Sequence, residues 1–148
     1  MTDERELLSR TADIAADFLD TLDERPIWPS ATVDELREAL GGPLPDAPVD
    51  PLEVIEELAA SAGRGVVAIP SGRYFGFVIG GSVPAALAAD WLTSAWDQHA
   101  GLVVCGPSAA VVEEIAGAWL KDILGIPSSA SLSFVTGCQL AHLSLIHI

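Results

Sequence analysis

An α/β fold, predominantly helical with a few short strands, is predicted by three features of the sequence. Apolar residues recur at helical spacing between acidic ones through the first third of the chain. Two later stretches, 84 to about 100 and 107–124, repeat that spacing with far fewer charges. Between and after them, the runs 66–69, 74–79 and 130–135 are rich in aromatic and β-branched residues, the composition of extended segments.

The elements follow in order. Leu7, Leu8, Ala12, Ile14, Ala15, Phe18, Leu19 and Leu22 mark one face of a first helix, and Asp3 and Glu4 complement the positive end of its dipole. Arg25-Pro26-Ile27-Trp28-Pro29 forces an extended link, because a proline disfavours helix in the residue before it. Thr32-Val33-Asp34-Glu35 has the spacing of a capping box, and Gly41-Gly42-Pro43 stops the short second helix. Asp50-Pro51-Leu52-Glu53 opens a third helix with an N-cap, a proline at the first helical position and an acid at the third; Gly63 closes it. Each of these three helices carries one apolar stripe that needs a cover, so residues 1–64 read as a helical arm.

Core material is expected from Val66 onward. Gly80-Gly81-Ser82-Val83-Pro84 ends the second extended run and opens a helix bearing Leu87, Trp91, Leu92 and Ala95, which should finish near Gly101 with His99 at its C-terminal end. Gly106-Pro107-Ser108 opens the next helix. Its Val112, Ile115, Ala116, Trp119, Leu120 and Ile123 predict a wide buried face, and Gly125 with Pro127 ends it. A short strand over 130–135, a tight turn at Thr136-Gly137-Cys138 and a helix from Gln139 complete the reading.

Charge narrows the function classes. The 148 residues hold 7 Lys+Arg against 21 Asp+Glu, a formal charge of −14, which repels phosphate backbones and anionic headgroups and argues against nucleic-acid and membrane-surface roles. Sixteen of the acids lie in the first 60 positions, the signature of solvated amphipathic helices. Cys105 and Cys138 are too few and too far apart for a disulfide framework or a Cys-x-x-Cys site and read as free thiols. The acidic start lacks a basic leader and an apolar h-region, and glycine and proline interrupt the long uncharged stretch after Asp122, so the expectation is a cytoplasmic chain without a membrane span. Three scattered histidines predict no metal site. Glu113 and Glu114 are adjacent on a helix and so lie on different faces, unlike a paired-carboxylate acid/base site. Trp91, Trp96 and Trp119 read as core or interface residues, and Ser82 lacks the context of a serine nucleophile.

One segment carries a chemical signal. Ser131 to His142 reads as strand, glycine turn and helix start, an arrangement that cups anions: glycine admits close approach, and the free N–H groups of Cys138 and Gln139 point outward with the helix dipole behind them. Many αβ proteins make the same turn with no ligand, so this pattern alone leaves both readings open.

Several motifs occur in a shared order: Arg25-Pro26-Ile27-Trp28-Pro29; Gly72-Arg73-Tyr74-Phe75-Gly76-Phe77 with Gly80-Gly81-Ser82; Gly106-Pro107-Ser108 leading to Glu113 and Trp119-Leu120; Leu124-Gly125-Ile126-Pro127; and Phe134-Val135-Thr136-Gly137-Cys138-Gln139. On these motifs the chain from Arg25 to about His142 resembles the group II pyridoxal-phosphate-dependent decarboxylases, the family of glutamate, aromatic amino acid, histidine and tyrosine decarboxylases. The resemblance implies the N-terminal part of a type I pyridoxal-phosphate transferase fold, with residues 65–142 beginning the cofactor-binding large domain. It implies pyridoxal 5'-phosphate as cofactor, held at Gly137, Cys138 and Gln139; an amino acid substrate approached by Phe77, Gly80, Gly81 and Ser82, with Tyr74 and Phe75 in the same aromatic approach; and a homodimer joined through the arm.

In relatives the turn reads Ser/Thr-Gly-Gly/Ala-Ser/Thr, so Gln139 departs from the pattern, although its amide still offers a donor. His142 falls where relatives often have Asn. Pyridoxal chemistry also needs a lysine to hold the aldehyde as a Schiff base, an acid for the ring nitrogen and a stacking group. The one lysine, Lys121, reads as a solvated surface cation beside Asp122. The family's equivalents lie beyond Ile148, so no catalytic residue is assigned within the chain and the expectation is an inactive fragment. Residues 143–148, Leu-Ser-Leu-Ile-His-Ile, read as a non-native tail of the kind translated from a sequencing adapter, with no role for His147. The alternatives are another type I pyridoxal-phosphate enzyme, aminotransferase-like or lyase-like, and a non-enzymatic acidic helical interaction module.

Overall fold

The computed structural model describes residues 2–146. Six helices follow in order: α1 (Glu4–Asp20), α2 (Val33–Leu40), α3 (Pro51–Ala62), α4 (Pro84–Trp96), α5 (Pro107–Leu124) and α6 (Cys138–Ile146), with a 3-10 turn, Gly63–Gly65, after α3. Contacts group the chain into two units, Met1–Pro84 and Ala85–Ile148.

In the first unit α3 is the hub, with both α1 and α2 packed against it. Its start is held by Asp50, whose carboxylate accepts the Leu52 N–H at 3.0 Å and the Thr2 N–H at 3.0 Å, together with the Thr2 hydroxyl. The Thr2 hydroxyl, then the two backbone amides, hold the Asp50 carboxyl below its ordinary range. Arg10 on α1 reaches Glu56 on α3 at 2.8 Å. The capping box forms as the spacing predicts: Thr32 N–H donates to Glu35 Oε2 at 2.7 Å, and Glu35 N–H donates to Thr32 Oγ1 at 3.3 Å. The link to α2 is tied down where Ser30 and Ala31 N–H both donate to the Arg64 carbonyl, at 2.9 and 3.2 Å.

The extended segments differ from expectation. No strand forms among the described residues, so the runs 66–69, 74–79 and 130–135 are loops and turns. A β-rich composition gives a strand only when a neighbouring strand completes the ladder, and here none does. The first run shares a single backbone bond with the proline link, Ala68 N–H to Ile27 O at 3.0 Å. The second is broken by a turn in which Ile79 N–H donates to Gly76 O at 3.2 Å while Phe77 and Val78 take φ of 54° and 57°.

In the second unit α4 stops at Trp96, short of Gly101, because Asp97 turns left-handed (φ 45°) while its N–H still closes on Thr93 O at 3.1 Å. His99 therefore does not end the helix; its Nδ1 accepts the Gly101 N–H at 3.1 Å. α5 ends as predicted: Gly125 is left-handed (φ 66°), and Ile126 N–H returns to Lys121 O at 2.8 Å. α6 starts one residue earlier than the sequence suggests, at Cys138. The expected buried face of α5 is exposed. Val112, Trp119 and Ile123 are 65, 68 and 77% accessible, and only Gly117 of that helix is buried, with Leu132 beside it. Among the described residues the buried apolar core is Ala68 alone, with Ser71 buried beside it in the sequence of the same turn. No described helix is long and apolar enough to cross a membrane.

Candidate functional site

The residues singled out from sequence form two local arrangements, one in each unit. The first is the loop that begins at Pro70. Ser71 N–H donates to Ala68 O and Tyr74 N–H to Ser71 O, both at 3.0 Å, while the Ser71 hydroxyl accepts the Arg73 N–H at 3.2 Å. This wound turn aims the Tyr74 ring at Trp28 of the proline link, edge to face. The ring also folds over Gly76, which explains the glycine: an added Cβ would stand 3.2 Å from the tyrosine hydroxyl oxygen.

The next four residues make the Gly76–Ile79 turn. With two consecutive positive φ values it has the handedness of a type I′ turn, which glycine and asparagine favour and a β-branched valine resists. It presents Phe77 and Val78 fully to the outside. Gly80, Gly81 and Ser82 then run exposed toward α4, and Gly81 returns to the neck of the loop, where an added Cβ would lie 3.6 Å from the Pro70 Cα. Phe77, Gly80, Gly81 and Ser82 thus belong to one closed surface loop, the arrangement of an Ω-loop.

The second arrangement is the Thr136–Gln139 turn. Gly137 has φ 157°, and an added Cβ there would meet nothing within 4 Å. Its carbonyl accepts the N–H groups of Leu140 at 3.1 Å and Ala141 at 3.4 Å, so Gly137 caps α6. The amides of Cys138 and Gln139 come before the first that can reach an intrahelical carbonyl and belong to exposed residues. No Asp, Glu, Lys or Arg occurs after Asp122. Two peptide donors, the Gln139 side-chain amide, an open approach and no local carboxylate fit the phosphate of a pyridoxal-type cofactor by the chemistry of the donor set. They supply no covalent anchor for its aldehyde. Lys121 does not take that part: its Nζ donates to Ser128 O at 3.0 Å and Ala130 O at 3.2 Å.

Two further relationships escaped the sequence reading. Cys138 Sγ lies 3.5 Å from His142 Nε2, one helical turn on, a contact that the four-residue spacing contains once α6 is known to start at Cys138. Arg73 Nη2 donates to Leu22 O at 2.7 Å and Arg25 O at 2.8 Å, and nothing in the local sequence signals that long-range contact. Both cysteines are free, as expected, and both are exposed; no group of three or more metal-ligating side chains occurs among the described residues. An open groove of about 620 Å³ in the second unit, lined by Val103, Glu113, Gly117, Lys121 and Leu132 among others, lies apart from the Gly137–Gln139 turn. His147 lies outside the described residues, and α6 runs on through 143–146 without a break from the turn.

No protein-family model matches the chain. No solved structure matches it either. Among curated proteins it is 26% identical over 144 residues to an aromatic-L-amino-acid decarboxylase of Bacillus atrophaeus, an alignment covering 97% of this chain and 30% of that protein. It is 27% identical over 129 residues to tryptophan decarboxylase 1 of Oryza sativa subsp. japonica, covering 86% of this chain and 25% of that protein. The chain thus spans less than a third of the length of these relatives. Both are named as decarboxylases of amino acids, and the similarity runs through both units of the chain.

Proposed function

We propose that this chain is the N-terminal part of a pyridoxal-phosphate-dependent amino acid decarboxylase, a carboxy-lyase. The observation that carries the reading is the similarity along nearly the whole chain to an aromatic-L-amino-acid decarboxylase. The donor set of the Gly137–Gln139 turn supports it, because that turn meets the chemical requirement of the cofactor's phosphate independently of the alignment.

Pyridoxal phosphate, when bound, supplies the electron sink for the pair released as the α-carboxylate leaves. The role of this chain is to bind and orient. The Cys138 and Gln139 amides at the dipole-positive end of α6 would hold the phosphate, Gln139 would add a side-chain donor, and Gly137 would leave room for the approach. Phe77 and the Gly80-Gly81-Ser82 backbone form the substrate's surroundings, with apolar contact from the ring and close approach at the glycines. Residues 1–64 serve as the arm that joins two copies in a cytoplasmic homodimer. The exposed Leu8, Val33, Leu40 and Leu58 on its helices are the surface such an arm would cover. Residues 65–142 open the large domain, and the lysine anchor comes from a later part of the polypeptide.

The test is the complete product of the gene that carries this segment. Borohydride reduction should fix pyridoxal phosphate to a lysine other than Lys121, and an aromatic amino acid should release carbon dioxide stoichiometrically with amine. A product that carries no reducible cofactor adduct overturns the reading.

A further inference from the structure

We propose that Arg73 is a positioning residue that sets the loop carrying Phe77 and Gly80–Ser82 against the arm, and so sets the fit of the amino acid substrate; this rests on the reading of that loop given above. The loop is closed at its neck by Gly81 against Pro70, and its interior bonds are local: Tyr74 to Ser71, Ile79 to Gly76 and Arg73 to the Ser71 hydroxyl. Such bonds fix the loop's shape and leave its direction free. Direction needs contacts with something outside the loop, and two are present.

One is the meeting of Tyr74 with Trp28, which constrains the base of the loop along an apolar edge. The other is directional. A single guanidinium nitrogen of Arg73 gives one hydrogen each to Leu22 O and Arg25 O, 51 and 48 residues earlier in the chain. Both carbonyls lie in the turns that follow the C-terminal end of α1. A planar donor bonded to two fixed acceptors holds orientation as well as distance, and a flexible ammonium cannot reproduce that. Arg25 is held in turn by its N–H to Thr21 O at 3.0 Å and by its guanidinium over the Phe18 ring at 4.5 Å, so the tether ends on an ordered part of the arm. Arg73 thereby ties the direction of the loop to the segment that follows α1.

The experiment compares the unsubstituted full-length product with Arg73→Met and Arg73→Lys. Arg73→Met should raise KM for the amino acid about tenfold with kcat within about twofold and cofactor absorbance unchanged; Arg73→Lys should raise KM only about threefold, since small misplacement of a binding group is costly while partial tethering survives. If Arg73→Met does not fold, the threefold rise in Arg73→Lys carries the test. Unchanged KM in either folded variant overturns the proposal, as does a fall in melting temperature with kcat and KM altered equally. Absence of cofactor from the unsubstituted product overturns the reading of function, and this inference with it.

Discussion

The rings of Trp28 and Tyr74 meet edge to face, with centroids 5.9 Å apart and planes inclined at 64°. Tyr74 also overhangs Gly76, where a Cβ would come within 3.3 Å of the ring carbon bearing its hydroxyl. We expect Gly76→Ala to push the tyrosine off the tryptophan, with a loss of about 0.5–1.5 kcal/mol for the aromatic pair. Tryptophan fluorescence and a urea titration measure it; an unchanged spectrum and midpoint would show that the ring yields without cost.

Val78 holds a left-handed conformation (φ 57°) with its side chain fully exposed. The backbone strain of such a position is about 1–2 kcal/mol, against roughly 0.5–1 kcal/mol of extra chain entropy for glycine. Val78→Gly should therefore raise stability by roughly 1 kcal/mol, read as a higher urea midpoint. A lower midpoint would mean that the valine side chain has a partner the exposed turn does not show.

The capping box of α2 makes stability depend on acid. The Thr32 backbone N–H, then its hydroxyl, hold the Glu35 carboxyl below its ordinary range. Between that lowered value and the ordinary one, the unfolded chain binds more protons than the folded one. The contribution is thus complete above the ordinary carboxylate range and is lost as pH falls through the lowered value; Asp50 at α3 acts in the same sense. Thr32→Ala should cost about 1 kcal/mol at neutral pH and weaken the acid dependence of helicity followed by circular dichroism. An identical acid limb in the variant would remove Glu35 from the account.

Lys121 and Gly117 together dock the segment after α5. Lys121→Met removes two charge-assisted bonds to Ser128 O and Ala130 O, and we expect a loss of about 1 kcal/mol with faster hydrogen exchange at the Ala130 amide, which donates to Pro127 O. Gly117→Val should release Leu132, whose Cδ2 would lie 3.0 Å from the new Cβ, and speed exchange in the same stretch. Unaltered exchange in both variants would show that the segment is held elsewhere.

Helix starts and stops were legible because their signals are local: Thr32 with Glu35, Asp50 with Pro51, and Gly125 all act within one turn. The strands were not, since a run such as 74–79 becomes β only beside another strand, and instead folded into a turn at Gly76–Ile79. The early end of α4 was hidden because a left-handed Asp97 has no strong composition signal. At the candidate site, the glycine turn before α6 could be read from Gly137 and the helix after it. Arg73 could not, because its acceptors Leu22 and Arg25 are near only in the folded chain.

The shelter of so few side chains governs how this stretch melts. With Ala68 the one apolar residue fully removed from water among those described, unfolding uncovers little fresh surface for 148 residues. Its response to each molar of denaturant and its heat-capacity step should both be small, and its transition broad. Any burial of the bare flank of α5 would add apolar surface to the transition and steepen it.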